Sequence, residues 1–403
     1  MLHFRFKNTY FFLVILMLSL FIFYGYSCNS NVDTNLQNKI VVGANQTTKY
    51  LPLLKGKNVA VVANQTSVIF KDDTTYVHLV DSLISQKIDI VKVFAPEHGF
   101  RGKADAGEHV ADGIDTKTNL PVFSLFGKNR KPKLELLNDV DIVVFDIQDV
   151  GVRFYTYIST MSNMMESCAE KGIPMLILDR PNPNGHYIDG PTLELEHSSF
   201  VGMHPIPLVY GMTIGEYAQM VNGEKWLKGG LQCDLKIITL ENYDHQSEYH
   251  LSIRPSPNLP NDKSINLYPS LGFFEGTIIN AGRGTEFQFQ RYGAPFFPEN
   301  NFYYTPKPNF GSKYPKFDGE KCYGVDLSKT KKLSKVDISF LVDAYQKTPK
   351  DKAFFGKTFT VHAGNLELQQ QLESGMSAEE ISVSWQKDLE KFKKVRIKYL
   401  IYD

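Results

Sequence analysis

A glutamate and a histidine stand side by side at the end of an apolar segment. In "FAPEHGFRG" (94–102), Glu97 and His98 follow a run typical of a buried strand. A carboxyl group in a partly apolar cleft has its charged form disfavoured, which raises its pKa toward neutrality. Such a group can protonate a leaving oxygen as a general acid. We therefore predict acid–base chemistry here, although Glu97 could instead cap the next element or pair with Arg101.

Glycoside hydrolysis requires a second carboxylate near such an acid, and the separation of the two decides the stereochemical outcome. The sequence offers Asp146, Asp149 and Glu275 for this part. We predict catalytic roles for Asp149 and Glu275 beside Glu97 and His98, and we place Asp146 among the substrate-binding residues.

Two further stretches combine groups that suit a sugar. "DIQDVGVRFYTY" (146–157) interleaves polar and aromatic side chains, and aromatic faces can stack on a sugar ring while polar groups bind its rim. "EGTIINAGRGTE" (275–286) places charged side chains around glycines, which let the backbone approach a ligand closely. The residues predicted to bind substrate from these stretches are Gln148, Arg153, Tyr155, Tyr157, Arg283 and Glu286. The structural alternatives are a salt bridge between Asp149 and Arg153 in the first stretch, and a hairpin with exposed charges in the second.

The elements that must position these residues form an alternating pattern. Segments of helical spacing separate four short apolar runs, which are "NVAVVANQT" (58–66), "IDIVKVFAPEH" (88–98), "DVDIVVFDIQDVGVRF" (139–154) and "IPMLILDRPNPNG" (173–185). Near-continuous apolar strands between helices predict a parallel sheet covered on both faces, as in a Rossmann-like α/β domain. Ligands bind at the carboxyl ends of such strands. Each run ends in polar residues, and Asn64 is the substrate-binding candidate after the first.

The remainder of the chain predicts a second, smaller α/β (α+β) domain. We place the Rossmann-like domain at 40–230 and the auxiliary domain, which contributes to the cleft, at 231–403. Within the latter, "FTVHAG" (359–364) is strand-like, 365–395 has helical spacing, and "RIKYLIYD" (396–403) predicts a final strand.

The N-terminus has the pattern of an export signal. "YFFLVILMLSLFIFY" (10–24) is an uncharged apolar run after a weakly basic start, and small residues precede Cys28. We predict a lipoprotein-type signal peptide over 1–28, a lipid on Cys28, and a tether over 29–39. This places the protein in the cell envelope, lipid-anchored or otherwise secreted.

Several function classes lack support in the sequence. There is no dinucleotide G-x-G-x-x-G after the first strand, no P-loop, no G-x-S-x-G elbow and no H-E-x-x-H. Lysine plus arginine and aspartate plus glutamate balance at 44 each, so nucleic acid is not favoured as a partner. We expect no cofactor and no metal, although an ion among Glu97, His98, Asp146 and Asp149 stays open.

Together these segments resemble the exo-β-N-acetylmuramidases, long known as a domain of unknown function. The resemblance runs from about residue 40 to the C-terminus and is carried by motifs in the same order, which are "FAPEHGFRG", "DAGE", "DIQDVGVRFYTYISTM", "LDRPNPNG", "DGP", "HPIPLVYGMTIGEYA", "PSPNLP", "LYPSLGFFEGT", "GRGTE" and "GAPF". It implies a Rossmann-like domain joined to an auxiliary domain with the site between them. It also implies an enzyme that removes terminal β-linked N-acetylmuramic acid from the non-reducing end of peptidoglycan fragments, with Glu97 as the catalytic carboxylate.

The implied substrate carries a lactyl carboxylate, for which an arginine is a natural partner. Arg153 and Arg283 are the candidates, and Arg101 is the third. Two other functions stay open from the sequence. One is an envelope lipoprotein that binds muropeptides without cutting them, and the other is a metal-dependent cell-wall esterase or amidase.

Overall fold

The computed structural model describes residues 39–102 and 112–403. The signal peptide, Cys28, most of the tether and the "DAGE" motif (105–108) lie outside the described residues. No helix in the described ranges combines the length and apolar character needed to cross a membrane.

Short strands and helices alternate along most of the described chain. The strands are β1 (Val59–Ala63), β2 (Val68–Phe70), β3 (Tyr76–His78), β4 (Ile90–Ala95), β5 (Gly113–Ile114), β6 (Pro121–Ser124), β7 (Ile142–Asp146), β8 (Met175–Leu178), β9 (Asp189–Thr192), β10 (Pro207–Val209), β11 (Leu235–Ile238), β12 (Arg291–Ala294), β13 (Tyr303–Tyr304) and β14 (Cys322–Asp326). The helices are α1 (Thr47–Leu54), α2 (Leu79–Ser85), α3 (Tyr157–Lys171), α4 (Ile214–Gly223), α5 (Asp262–Leu271), α6 (Ser339–Lys347), α7 (Phe359–Ala363), α8 (Glu367–Glu373), α9 (Ala378–Ser384) and α10 (Gln386–Arg396).

A seven-stranded sheet organises the first part of the chain, in the order β11-β8-β7-β1-β4-β6-β5. Its neighbouring strands are parallel except for β5, which pairs antiparallel with β6. Every residue of β1, β7 and β8 is buried, as expected for strands with helices on both faces. The predicted mixed α/β, Rossmann-like architecture is confirmed.

The strand order reverses direction beside β1. The chain runs from β1 to β4 and β6 on one side, then returns to place β7, β8 and β11 on the other. In open α/β sheets, ligands bind outside the carboxyl ends of strands at such a switch point. The loops after β1, β4 and β7 are therefore the ones that the topology places at a binding crevice.

The last strand of this sheet lies beyond residue 230, where the sequence analysis divided the domains. β11 pairs in parallel with β8, from Leu235–Met175 to Ile238–Leu178. A short strand carries no sequence signal for the sheet that it joins, so only its pairing assigns it.

The C-terminal region differs from its predicted elements at two places. "FTVHAG" is helix α7, which ends at Gly364 in the left-handed conformation with φ 83°. "RIKYLIYD" forms no strand. The amides of Ile401 and Tyr402 donate to the Glu216 carboxylate, and the Tyr402 hydroxyl donates to Asp179 Oδ2 at 2.7 Å. Side-chain acceptors on the first domain thus take the hydrogen bonds that a sheet ladder would have supplied.

In the same region, β12, β14 and β13 form a three-stranded antiparallel sheet. The helical pattern over 365–395 is confirmed, divided among α8, α9 and α10.

Candidate active site

A cavity of about 320 Å³ opens beside the carboxyl end of β4 and the N-terminus of α3. Six of the residues nominated from the sequence line it, and they are Glu97, His98, Tyr155, Tyr157, Glu275 and Arg283. The structure thus brings together residues from three segments that are far apart in the chain.

A tight turn presents Glu97 to this cavity. The amide of Gly99 donates to the carbonyl of Pro96 at 3.0 Å, and His98 has a φ of +71°. A positive φ at the third residue is typical of a type II turn, and histidine tolerates it better than most residues other than glycine, asparagine and aspartate. His98 is buried while the Glu97 side chain is partly exposed. The apolar strand therefore ends in a turn that buries the histidine and leaves the carboxyl group at the cavity wall.

Thr156 forms a hydrogen bond with the Glu97 carboxyl group. Its hydroxyl donates to Glu97 Oε2 at 2.9 Å. Thr156 also lines the cavity, and it is the N-cap residue of α3. Sequence reasoning missed it, although its position directly before a helical pattern was readable.

Glu275 supplies the second carboxylate on the cavity. Arg283 Nη1 donates to Glu275 Oε1 at 2.7 Å, and about a quarter of each side chain is exposed. The same two residues also line a neighbouring cavity of about 180 Å³, together with Lys316. The ion pair therefore stands between the two cavities.

Lys316 anchors the backbone that carries Glu275. Its ammonium donates to the carbonyls of Phe274, Thr277 and Ile279 at 2.8, 2.5 and 3.2 Å. Burial lowers the pKa of this group to about 8, with Glu275 opposing and Arg283 reinforcing that shift.

Aromatic side chains form much of the wall. The Tyr155 and Tyr157 rings lie 4.7 Å apart, and both hydroxyls donate to the carbonyl of Pro255. The protons of both hydroxyls are thereby committed, so the two residues offer the cavity mainly the surface of their rings. Burial raises the pKa of Tyr268, and the charges of Glu275 and Glu97 raise it further. This phenol, which sequence reasoning also missed, therefore lies within the field of both cavity carboxylates.

Asp146 and Asp149 do not line the cavity. Asp146 is completely buried, and Arg180 holds both of its oxygens at 2.6 and 2.9 Å. Asp149 accepts from the Tyr210 hydroxyl and from the amide of Gly151. Burial raises the pKa of Asp149 to about 6, against these donors. Asp146 thus connects the end of β7 to Arg180 after β8, Asp149 binds Tyr210 and its own loop, and the alternative pair of Asp149 with Arg153 is not formed.

Asn64 and Gln148 shape the loops after β1 and β7. Asn64 Oδ1 accepts from the amide and hydroxyl of Thr66 at 2.8 and 2.6 Å. Gln148 Nε2 donates to the carbonyls of Asp149 and Pro181 at 2.8 and 2.7 Å. Both side chains lie off the cavity and support the turns beneath it.

Three other nominated residues also lie elsewhere. Arg153 is fully buried, and its guanidinium donates to the carbonyls of Pro191, Ile206, His362 and Ala363. Arg101 pairs with Asp115 and Asp81 at 2.8 and 3.3 Å. Glu286 is exposed and is not among the residues that line the cavity. Of the three arginines considered for a lactyl carboxylate, Arg283 is therefore the one on the cavity.

Of the four residues considered for an ion, Asp146 and Asp149 bind Arg180 and Tyr210, and they do not line the cavity with Glu97 and His98. Among the described residues, Glu194, Glu196 and His197 have ligand atoms within 4.8 Å of one another. They lie on an exposed turn, where acidic groups are common without an ion.

Two family models match the chain almost end to end. The exo-beta-N-acetylmuramidase NamZ N-terminal model matches residues 59–263, and the corresponding C-terminal model matches residues 266–402. The peptidoglycan beta-N-acetylmuramidase NamZ of Bacillus subtilis (strain 168) is 40% identical over 375 residues, which span 88% of this chain and 89% of that protein.

Two crystal structures of DUF1343 family proteins from Bacteroides fragilis NCTC 9343 have the same fold. One has a TM-score of 0.83 at 43% identity and covers 91% of this chain and 99% of its own. The other has a TM-score of 0.78 at 29% identity, with 91% and 100% covered.

Proposed function

The chain belongs to the exo-β-N-acetylmuramidase family, and from this premise we propose the reaction that its cavity performs. The protein is a glycosidase that releases terminal β-linked N-acetylmuramic acid from the non-reducing end of peptidoglycan fragments. The observation that carries this proposal is the placement of Glu97 and Glu275 on one cavity whose wall is largely aromatic. Glycosidases commonly use such a pair of carboxyl groups on either side of the scissile bond.

Glu97 acts as the general acid. It is partly exposed at the cavity wall, and the Thr156 hydroxyl fixes one of its oxygens. From this position its proton passes to the oxygen that bridges the two saccharides, so that the leaving sugar departs as a neutral alcohol. The oxygen of a water molecule ends on the anomeric carbon of the released N-acetylmuramic acid. His98, buried in the turn beside it, helps to define the turn that presents Glu97.

Glu275 acts on the developing positive charge of the sugar ring. The transition state of glycoside hydrolysis is similar to an oxocarbenium ion, which a nearby carboxylate stabilises. Arg283 orients this carboxylate through the 2.7 Å ion pair, and Lys316 fixes the backbone on which it stands. Arg283 is also the cation that we assign to the lactyl carboxylate of the substrate, since guanidinium groups bind carboxylates well.

The test is to incubate the purified protein with a disaccharide that carries N-acetylmuramic acid at its non-reducing end. Release of the free monosaccharide supports the proposal, and binding without release supports a muropeptide-binding protein instead. A metal-dependent esterase or amidase would release no free monosaccharide from this disaccharide, and its cleavage of ester or amide bonds in peptidoglycan fragments would be lost on addition of EDTA.

We propose further that the protein is lipid-anchored in the cell envelope through Cys28. The apolar run over 10–24 and the small residues before Cys28 support this, and peptidoglycan lies outside the cytoplasmic membrane. Cells that express the full chain should incorporate a labelled fatty acid into the wild-type protein and not into Cys28→Ala. Equal labelling of both proteins would contradict the anchor.

A further inference from the structure

Asn258 is a buried amide on the wall of the cavity with unused hydrogen-bonding capacity. Its side chain is 4% exposed, and it lines the cavity together with Glu97 and Glu275. Within the part of the chain that the structure describes, neither Nδ2 nor Oδ1 has a hydrogen-bond partner. Both a donor and an acceptor of one side chain are thus left unused at the same place.

The position of this side chain is built into the local backbone. The backbone N–H of Asn258 donates to the Ser256 hydroxyl at 3.1 Å, and the backbone N–H of Leu259 donates to the Ser256 carbonyl at 3.1 Å. Gly311 packs against the side-chain amide, and a Cβ there would come within 2.8 Å of Asn258 Oδ1. The turn and the close approach of Gly311 therefore hold the side chain in place.

Unpartnered buried polar groups are rare because each one costs free energy on folding. When such groups lie at a cavity wall, a ligand that forms the missing hydrogen bonds recovers this free energy on binding. A side-chain amide offers N–H donors and a carbonyl acceptor in one plane, and an N-acetylated sugar presents a carbonyl acceptor beside ring hydroxyl groups that can donate.

We propose that Asn258 recognises the acetamido group of the terminal sugar. Asn258 Nδ2 donates to the acetamido carbonyl, and Asn258 Oδ1 accepts from a hydroxyl group of the same sugar. The adjacent apolar wall, which includes Leu259, Val201 and Phe289, is suited to the acetyl methyl group. This inference rests on the proposed function, and it adds the group by which the enzyme distinguishes an N-acetylated sugar from one with a free amine.

The experiment combines two substrates with variants of the full chain. The substrates are the disaccharide with N-acetylmuramic acid at its non-reducing end and the same disaccharide with that amino group deacetylated. We expect Asn258→Ala to lower kcat/KM for the acetylated substrate by about 10- to 100-fold. Turnover of the deacetylated substrate should fall by a clearly smaller factor, because that substrate lacks the acetamido carbonyl to which Nδ2 donates and only the Oδ1 hydrogen bond is lost.

Asn258→Asp keeps the shape of the side chain and replaces its donor by an acceptor. We expect this variant to lower kcat/KM for the acetylated substrate as Asn258→Ala does. It should raise kcat/KM for the deacetylated substrate, because the carboxylate can pair with the ammonium group of that sugar. This second variant keeps the proposal testable if Asn258→Ala folds poorly. Asn182 serves as the structural control, since its amide donates to the Met212 carbonyl at 2.8 Å and it does not line the cavity. Asn182→Ala should affect both substrates by the same factor.

An equal loss on both substrates in the Asn258 variants would overturn the assignment. Failure of the wild-type protein to release sugar from either disaccharide would instead overturn the proposed function on which it rests.

Discussion

The hydroxyl of Thr156 donates to Oε2 of Glu97 at 2.9 Å, although Thr156 occupies the N-cap position of α3. A threonine at this position ordinarily accepts a hydrogen bond from the first turn of its own helix, and here no such side-chain bond is made. The helix gives up a local contribution of about 1 kcal/mol so that the hydroxyl can hold a cavity carboxyl group. The N-terminus of α3 is thereby built around the site.

Substitution of Thr156 should therefore affect activity more than stability. We expect Thr156→Val to lower kcat by about 3- to 10-fold, the size expected for one lost hydrogen bond. Thr156→Ser retains the hydroxyl and should keep wild-type kcat. Thermal unfolding of the valine variant should match the wild type within experimental error, because no cap is lost. A stability loss typical of a removed cap, with unchanged kcat, would contradict this role.

Replacement of Arg283 should reduce the preference for a sugar that carries a lactyl group. In Arg283→Met, we expect KM for the muramic acid disaccharide to rise at least about tenfold relative to an analogue terminated by N-acetylglucosamine. The measurement is the ratio of the KM values for the two substrates, because loss of the ion pair with Glu275 affects kcat for both substrates alike. Arg283→Lys keeps the charge without the planar guanidinium that binds a carboxylate through two hydrogen bonds. Its KM ratio should lie between those of the wild type and Arg283→Met. An unchanged ratio in Arg283→Met would place the lactyl group elsewhere.

Lys316 should give the reaction an alkaline limit. The pKa of its buried ammonium is lowered to about 8, so the group loses its proton as the pH rises through that value. The neutral amine has one N–H fewer to donate to the carbonyls of Phe274, Thr277 and Ile279, and the segment that carries Glu275 loosens. We expect kcat to fall above pH 8 in the wild type. Lys316→Met should have a lower kcat that no longer falls as the pH rises through about 8. If this variant still loses activity above pH 8, another group is responsible for the alkaline limit.

Asp149 should prove dispensable for catalysis. Burial raises its pKa from 3.8 to about 6, so its contribution to stability is complete below pH 3.8 and is lost as the pH rises through 6. Asparagine is neutral at every pH and can still accept from Tyr210 and Gly151. Asp149→Asn should thus equal the wild type at pH 4 and exceed it by about 1–3 kcal/mol at pH 7. Its kcat should stay within about threefold of the wild type, and a loss of orders of magnitude would return Asp149 to the catalytic set.

The sheet strands could be predicted because four of them are near-continuous apolar runs, a pattern with few alternative structures. The cavity residues Glu97, Glu275 and Arg283 could be nominated because they are charged groups at a strand end or near glycines. The same criterion also nominated Asp146 and Glu286, which lie off the cavity, so it does not separate site residues from structural ones. The pairing of β11 could not be predicted, since strand partners are set by tertiary contacts.

Arg153 and Asn258 show where a linear pattern fails at the site. Arg153 directly precedes the aromatic residues Phe154 and Tyr155 in a sugar-binding pattern, yet four backbone carbonyls from distant segments enclose it. Asn258 stands between prolines in "PSPNLP", and nothing in that motif indicates that its amide lacks partners. Both outcomes depend on which groups from distant parts of the chain surround the side chain.

The central claim is that Glu97 donates the proton that releases the terminal sugar. Its most direct test measures free N-acetylmuramic acid released from the muramic acid disaccharide by the wild-type protein and by Glu97→Gln, with folding of both checked by thermal unfolding. We predict release by the wild type and a kcat lowered by about 10²- to 10⁴-fold in the variant, because glutamine keeps the shape without a transferable proton. Release by a folded Glu97→Gln protein at the wild-type rate would contradict the account.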